Sequence, residues 1–158
     1  MKKKKTIQGV LPVLHMPYLE SGDIDYKSLA REVDWLYEVG ADGFCLAMVS
    51  DLLRLAARER HALSEKLVEF NRGRGSVIIS VGAESQALAV SYAEVAARAG
   101  ADAVMAIPPL GTACEDEELF GYYAAIIESV QVPVVVQDAS GYLGRPLTIE
   151  LQAHLVAA

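Results

Sequence analysis

The feature that most constrains this chain is a repeated change of period. Short runs rich in Val, Ile and Ala alternate with longer stretches whose apolar residues recur every three or four positions. The runs read as strands: Ile7–Leu14, Gly43–Met48, Ser76–Val81, Ala103–Ile107 and Val132–Gln137. Their near-continuous apolar character suits strands of a parallel sheet. Strands and helices joined by short links imply right-handed crossovers.

The helical segments are delimited by their own chemistry. Asp25 is placed to cap a first helix with Leu29, Val33, Leu36 and Tyr37 inside and Gly40 at its end. A second runs over Ala57–Asn71, with Leu63, Leu67 and Phe70 inward. A third starts near Ser85, buries Leu88, Tyr92, Val95, Ala96 and Ala99, and stops at Gly100. The fourth follows the acidic cluster 115–118, which favours a helix N-terminus, and buries Leu119, Tyr122, Tyr123, Ile126, Ile127 and Val130. A last helix opens near Thr148. Gly40-Ala41-Asp42 and Gly100-Ala101-Asp102 join helix to strand identically, 60 residues or two βα units apart. Periodicity leaves two architectures open: a five-stranded doubly wound sheet, or the first five units of a (βα)8 barrel, which normally needs about 250 residues.

Charge narrows the partners. With Lys2–Lys5 set aside, 10 basic side chains face 21 acidic ones, a balance that disfavours nucleic acid. Residues 1–6 read as a solvated basic tail rather than a secretion signal, because no apolar stretch of the required length follows. No apolar run approaches the ~18 residues of a membrane span. Cys45 and Cys114 match neither a metal spacing nor a disulfide framework, so a reduced, cytoplasmic protein is expected.

The order of particular residues selects between the architectures. Pro17-Tyr18 precedes Ser21-Gly22-Asp23-Ile24-Asp25, then come 35–43 (Trp-Leu-Tyr-Glu-Val-Gly-Ala-Asp-Gly), Leu55 with Arg58-Glu59-Arg60, and Val81-Gly82. Ala99-Gly100-Ala101-Asp102, Ile107-Pro108-Pro109 and Val132-Pro133-Val134-Val135 follow. In this succession the chain resembles the dihydrodipicolinate synthase / N-acetylneuraminate lyase family of class I lyases, which are (βα)8 barrels. The resemblance implies an α/β fold: a partial TIM barrel over residues 7–158, about five βα units, cut before strand six. It further implies a 2-keto acid substrate such as pyruvate, bound as a Schiff base on a lysine of strand six, with no cofactor and no metal. A tyrosine ending strand five would relay protons, and a Gly-Thr-Thr-Gly loop after strand two would hold the carboxylate.

Against that pattern this sequence departs at the chemical positions. Its lysines are Lys2–Lys5, Lys27 and Lys66, so the Schiff-base lysine has no counterpart and the chain is expected to be inactive alone. Ala47-Met48-Val49-Ser50-Asp51 replaces the threonine loop, Gln137 takes the tyrosine position, and Tyr142 the position of the family's arginine, with Arg145 three residues on. Leu110 and Gly111 replace interface tyrosines, and Ala56 removes an N-cap. The substrate-binding candidates are Met48, Val49, Ser50, Asp138, Ser140 and His15. Asp138 and Ser140 serve equally as an Asx-type turn, and His15 as a structural histidine. A metal site from His15, Asp51 and Asp138 lacks diagnostic spacing. His61 and His154 read as surface residues, Tyr122-Tyr123 as packing, and the turn 82–85 as a helix cap or an anion-binding turn. An incomplete barrel leaves open edges, which predicts a homo-oligomer or a complementing chain. A non-catalytic half-barrel or a doubly wound binding module is the alternative reading.

Overall fold

The computed structural model describes residues 6–143 and 146–157. Four strands, β1 (Gly43–Leu46), β2 (Ser76–Ser80), β3 (Ala103–Ala106) and β4 (Val134–Val136), form one parallel sheet in the order β1-β2-β3-β4. Its register pairs Gly43 with Ser76, Ile78 with Ala103 and Val104 with Val134. The helices are α1 (Tyr26–Glu38), α2 (Ala57–Asn71), α3 (Gln86–Ala99), α4 (Asp116–Ser129), the single turn α5 (Ser140–Leu143) and α6 (Ile149–Ala157).

The first expected strand, Ile7–Leu14, is reduced to one parallel bridge between Val13 and Cys45. Cys45 N–H donates to Pro12 C=O at 2.8 Å and Leu14 N–H to Cys45 C=O at 3.0 Å. The next rung back would need an N–H from Pro12, which has none, and the ladder stops there. The strand expected over Val132–Gln137 is shorter for a milder reason. Val104 N–H still reaches Pro133 C=O and Gln137 N–H reaches Ala106 C=O, so the pairing extends one residue beyond β4 at each end.

The two sheet faces differ, and this decides the architecture. Phe44, Leu46, Val77, Ile79, Val104 and Ala106 join Leu29, Val33, Leu63, Leu67, Tyr123 and Ile126 of the helices in one core. The alternate residues Cys45, Ala47, Ile78 and Ala103 gather only Ile7, Leu11 and Met105. With sequential strand order and helices packed on one face, the doubly wound alternative fails, since it requires helices on both. The arrangement is that of consecutive barrel units.

Local details explain the element ends. Asp25 caps α1 through Lys27 and Ser28 N–H. Gly40 (φ 91°) and Gly100 (φ 103°) turn the chain left-handed, letting Ala41 and Ala101 N–H reach back to Leu36 and Ala96 C=O. Ala56 gives α2 no side-chain cap, yet Glu59 reaches back to accept Ala56 N–H at 2.7 Å. In α3 the buried stripe is Ala89, Tyr92, Ala93 and Ala96, and Leu88 lies outside it, because three alanines let the helix pack closely. His61 corrects its surface assignment: its Nε2 is buried and its ring lies edge-on to Tyr92 at 5.5 Å.

Candidate functional site

The C-terminal strand ends and the loops that leave them form the candidate site, as expected for parallel α/β units. After β1 the chain makes two 3₁₀ turns, Met48–Ser50 and Leu52–Arg54, hinged at Asp51 with φ 55°. Ser50 is fully buried. Its hydroxyl donates to Leu14 C=O at 2.5 Å and lies 3.4 Å from Ala47 N–H, so it staples this loop to the end of the first extended segment. Met48 is half-buried and Val49 is exposed. Asp51 pairs with Arg54; burial, then the nearby Asp51 carboxylate, raises the Tyr18 pKa.

The loop after β2 is fixed by two groups that sequence reasoning missed. Arg60, buried on α2, donates to Ser80 C=O and Gly82 C=O, both at 3.2 Å, and stacks 3.7 Å over the Tyr92 ring. Burial pulls its pKa down. Its place three and seven residues before Leu63 and Leu67 was the available signal. The Tyr122 hydroxyl accepts Ala83 N–H at 3.0 Å and donates to Ala83 C=O at 3.2 Å. Glu84 then bridges to the loop after β3, accepting Leu110 N–H at 3.0 Å and Gly111 N–H at 2.9 Å. Beyond it, a cavity of about 250 Å³ is bounded by Pro108, Leu110, Cys114, Leu119 and Leu147.

After β4, Ala139 adopts φ 54° and the Asp138 carboxylate accepts Leu147 N–H. The Ser140 hydroxyl, then that amide, holds the Asp138 pKa below the usual carboxylate range. Asp138 and Ser140 thus form a turn that also stands at the rim of the strand ends. Gln137 Oε1 is buried without a hydrogen-bond partner. His15 lies apart: its side chain is exposed, with Nδ1 3.5 Å from Glu32 of α1. Among the described residues no group of three His, Cys, Asp or Glu is placed to hold a metal. No described helix is long and apolar enough to cross a membrane. The side chains of Tyr142 and Arg145, and the Lys2–Lys5 tail, lie outside the described residues.

Residues 6–158 match the Dihydrodipicolinate synthetase family. An L-2-keto-3-deoxyarabonate dehydratase of Azospirillum brasilense is 31% identical over 136 residues, 84% of this chain and 44% of that protein. A probable 2-dehydro-3-deoxy-D-pentonate aldolase of Escherichia coli is 32% identical over 152 residues, 96% and 50% of the two chains. In three dimensions, a prophage protein of the dihydrodipicolinic acid synthase family from E. coli K12, in complex with pyruvate, superposes with a TM-score of 0.91 at 25% identity. That superposition covers 94% of this chain and 50% of the other. The chain spans about half the length of the curated relatives it matches.

Proposed function

We propose that this chain, which belongs to the dihydrodipicolinate synthetase family, supplies the N-terminal wall of a Schiff-base lyase site for pyruvate or a related 2-keto acid. The reactive amine comes from polypeptide that completes the barrel, continuous with this chain or separate from it. The observation that carries the reading is a strand-end site at which no lysine stands among the described residues. Lys27 and Lys66 stand on α1 and α2, and Lys66 Nζ is engaged 2.7 Å from Glu69. Residues 7–158 are then the N-terminal part of a barrel behind the tail 1–6, and the chain alone is inactive.

The chemistry follows from an iminium, which withdraws electrons so that the neighbouring carbon can lose a proton or a carbon substituent. In this reading the amides of Met48 and Val49 receive the keto-acid carboxylate, with Ser50 shaping their turn. Asp138 and Ser140 form the rim, and His15 approaches only if its ring leaves Glu32. Gln137 cannot relay a proton as a phenol does. The proton step therefore belongs to another group, and the substrate differs from that of the tyrosine-bearing synthases.

The exposure of Val135 (39%) at the β4 end of the sheet and the open edge of β4 favour assembly with a complementing chain or a second copy. A non-catalytic half-barrel is the second reading, favoured by Gln137 at the tyrosine position. Pyruvate plus borohydride, followed by intact mass, separates the two. The expected result is no adduct on this chain alone and a pyruvyl adduct on the lysine-bearing complement once the two are joined. An adduct on the 158-residue chain alone, or none in the completed barrel, overturns the proposal.

A further inference from the structure

We infer that the cavity between the loops after β3 and β4 is a binding site for a small, uncharged, apolar ligand, apart from the keto-acid site proposed above. Its walls assign the class of ligand, and the Cys114 thiol in one of them reports occupancy.

Position comes first. The cavity, about 250 Å³, is walled by the segment from Pro108 to Cys114, just beyond β3, and by Leu147 from the loop after β4. Leu119, Leu147 and Cys114 all pack with the helix-side core. None of the residues grouped on the other sheet face lines the cavity, and neither do Met48, Val49, Ser50, Asp138 or Ser140. It therefore lies on the helix side of the sheet. Leu119 and Leu147 are buried at its floor, whereas Thr112 and Pro146 are exposed at its mouth, so a solute enters directly from solvent.

Chemistry then limits what can fill it. Pro108, Pro109 and Pro146 bring no N–H to the walls. Leu110 and Gly111 spend theirs on the Glu84 carboxylate, at 3.0 and 2.9 Å, and Leu147 spends its own on Asp138 at 2.5 Å. The Cys114 thiol donates to Thr112 C=O at 3.5 Å. Among the described residues no Lys, Arg or His lines the cavity, while Glu84 and Glu115 bring negative charge to its border. An anion entering here gives up hydration and gains no counter-charge. An apolar solute gives up nothing polar and covers the leucine and proline walls. An apolar cavity of roughly 150 Å³ takes benzene, so this one has room for a substituted single ring.

The test titrates toluene and benzoate, which share a ring and differ in a methyl against a carboxylate, calorimetrically into the 158-residue chain. The expected result is binding of toluene, with benzoate weaker by about tenfold or more. Saturating toluene should also slow the reaction of Cys114 with a chromogenic disulfide by about threefold or more, because it blocks access to the thiol. Pyruvate should leave that rate unchanged. Ala113→Leu and Cys114→Met, which fill the cavity from its wall, should abolish toluene binding. No binding of toluene, equal binding of benzoate, an unchanged Cys114 rate, protection by pyruvate, or toluene binding that survives both variants overturns the assignment.

Discussion

Asp42 and Val10 exchange two hydrogen bonds across 32 residues of sequence: Asp42 N–H donates to Val10 C=O at 2.9 Å, and Val10 N–H to Asp42 Oδ2 at 2.8 Å. Asp102 and Val77 repeat the exchange, both bonds at 2.9 Å. The Gly-Ala-Asp repeat is therefore a device that sets one strand against the segment before it. Gly9, at φ 80°, leaves room for it, since a Cβ there would fall 1.9 Å from Asp42 Oδ2. Asp42→Ala should cost about 1 kcal/mol in urea denaturation and speed hydrogen exchange at Val10. Gly9→Ala should release the same segment, through both its φ and the clash.

Ser50 is expected to matter for stability before chemistry. Ser50→Ala orphans Leu14 C=O and weakens the hold on Ala47 N–H, and should cost about 1–3 kcal/mol. Far-UV circular dichroism with urea titration reads the loss. An unchanged midpoint would show that the staple contributes nothing.

Arg60 holds two carbonyls with a planar fork that an ammonium cannot reproduce. Arg60→Lys should therefore destabilise the chain by about 1–3 kcal/mol despite keeping the charge. The check is the denaturation midpoint, alongside the near-UV signal of Tyr92. Equal stability of the two proteins would remove Arg60 from the support of the β2 loop.

The two thiols should separate kinetically. Cys45 is buried and its pKa is pushed up to about 12 by desolvation. Cys114 is half-buried in the wall of the surface cavity. With a chromogenic disulfide at pH 8, one thiol should react in the folded chain and the second only after denaturant is added. Two fast thiols would show that the inner face opens readily.

Acid should destabilise the fold through its carboxylates. Asp25, Asp34 and Asp138 all have lowered pKa values, held down chiefly by the Ser28 hydroxyl, the Arg74 guanidinium and the Ser140 hydroxyl respectively. A depressed folded pKa stabilises above the unfolded value, about 3.9 for Asp, and that stability is lost as pH falls through the folded pKa. The urea midpoint should be insensitive to these groups from pH 7 to about 5 and should fall below about pH 4. A midpoint rising on acidification below that would contradict the assignment.

Local patterning determined a great deal. Helix spans, the Asp25 cap, the left-handed Gly40 and Gly100 and the apolar strands all follow from forces acting within a few residues. Residue order also carried the family. Tertiary structure alone decided the rest, because it depends on which distant groups meet. The missing N–H of Pro12 shortens the first strand only because Cys45 is its neighbour. Ser50, offered by sequence as a ligand group, spends its hydroxyl on Leu14, 36 residues away. Arg60 reaches Ser80 and Gly82, and Glu84 the amides of Leu110 and Gly111, through contacts that no sequence spacing encodes. Strand alternation is legible in sequence, but which face the helices cover, and hence which acceptor is left without a donor, is set only when the sheet is packed.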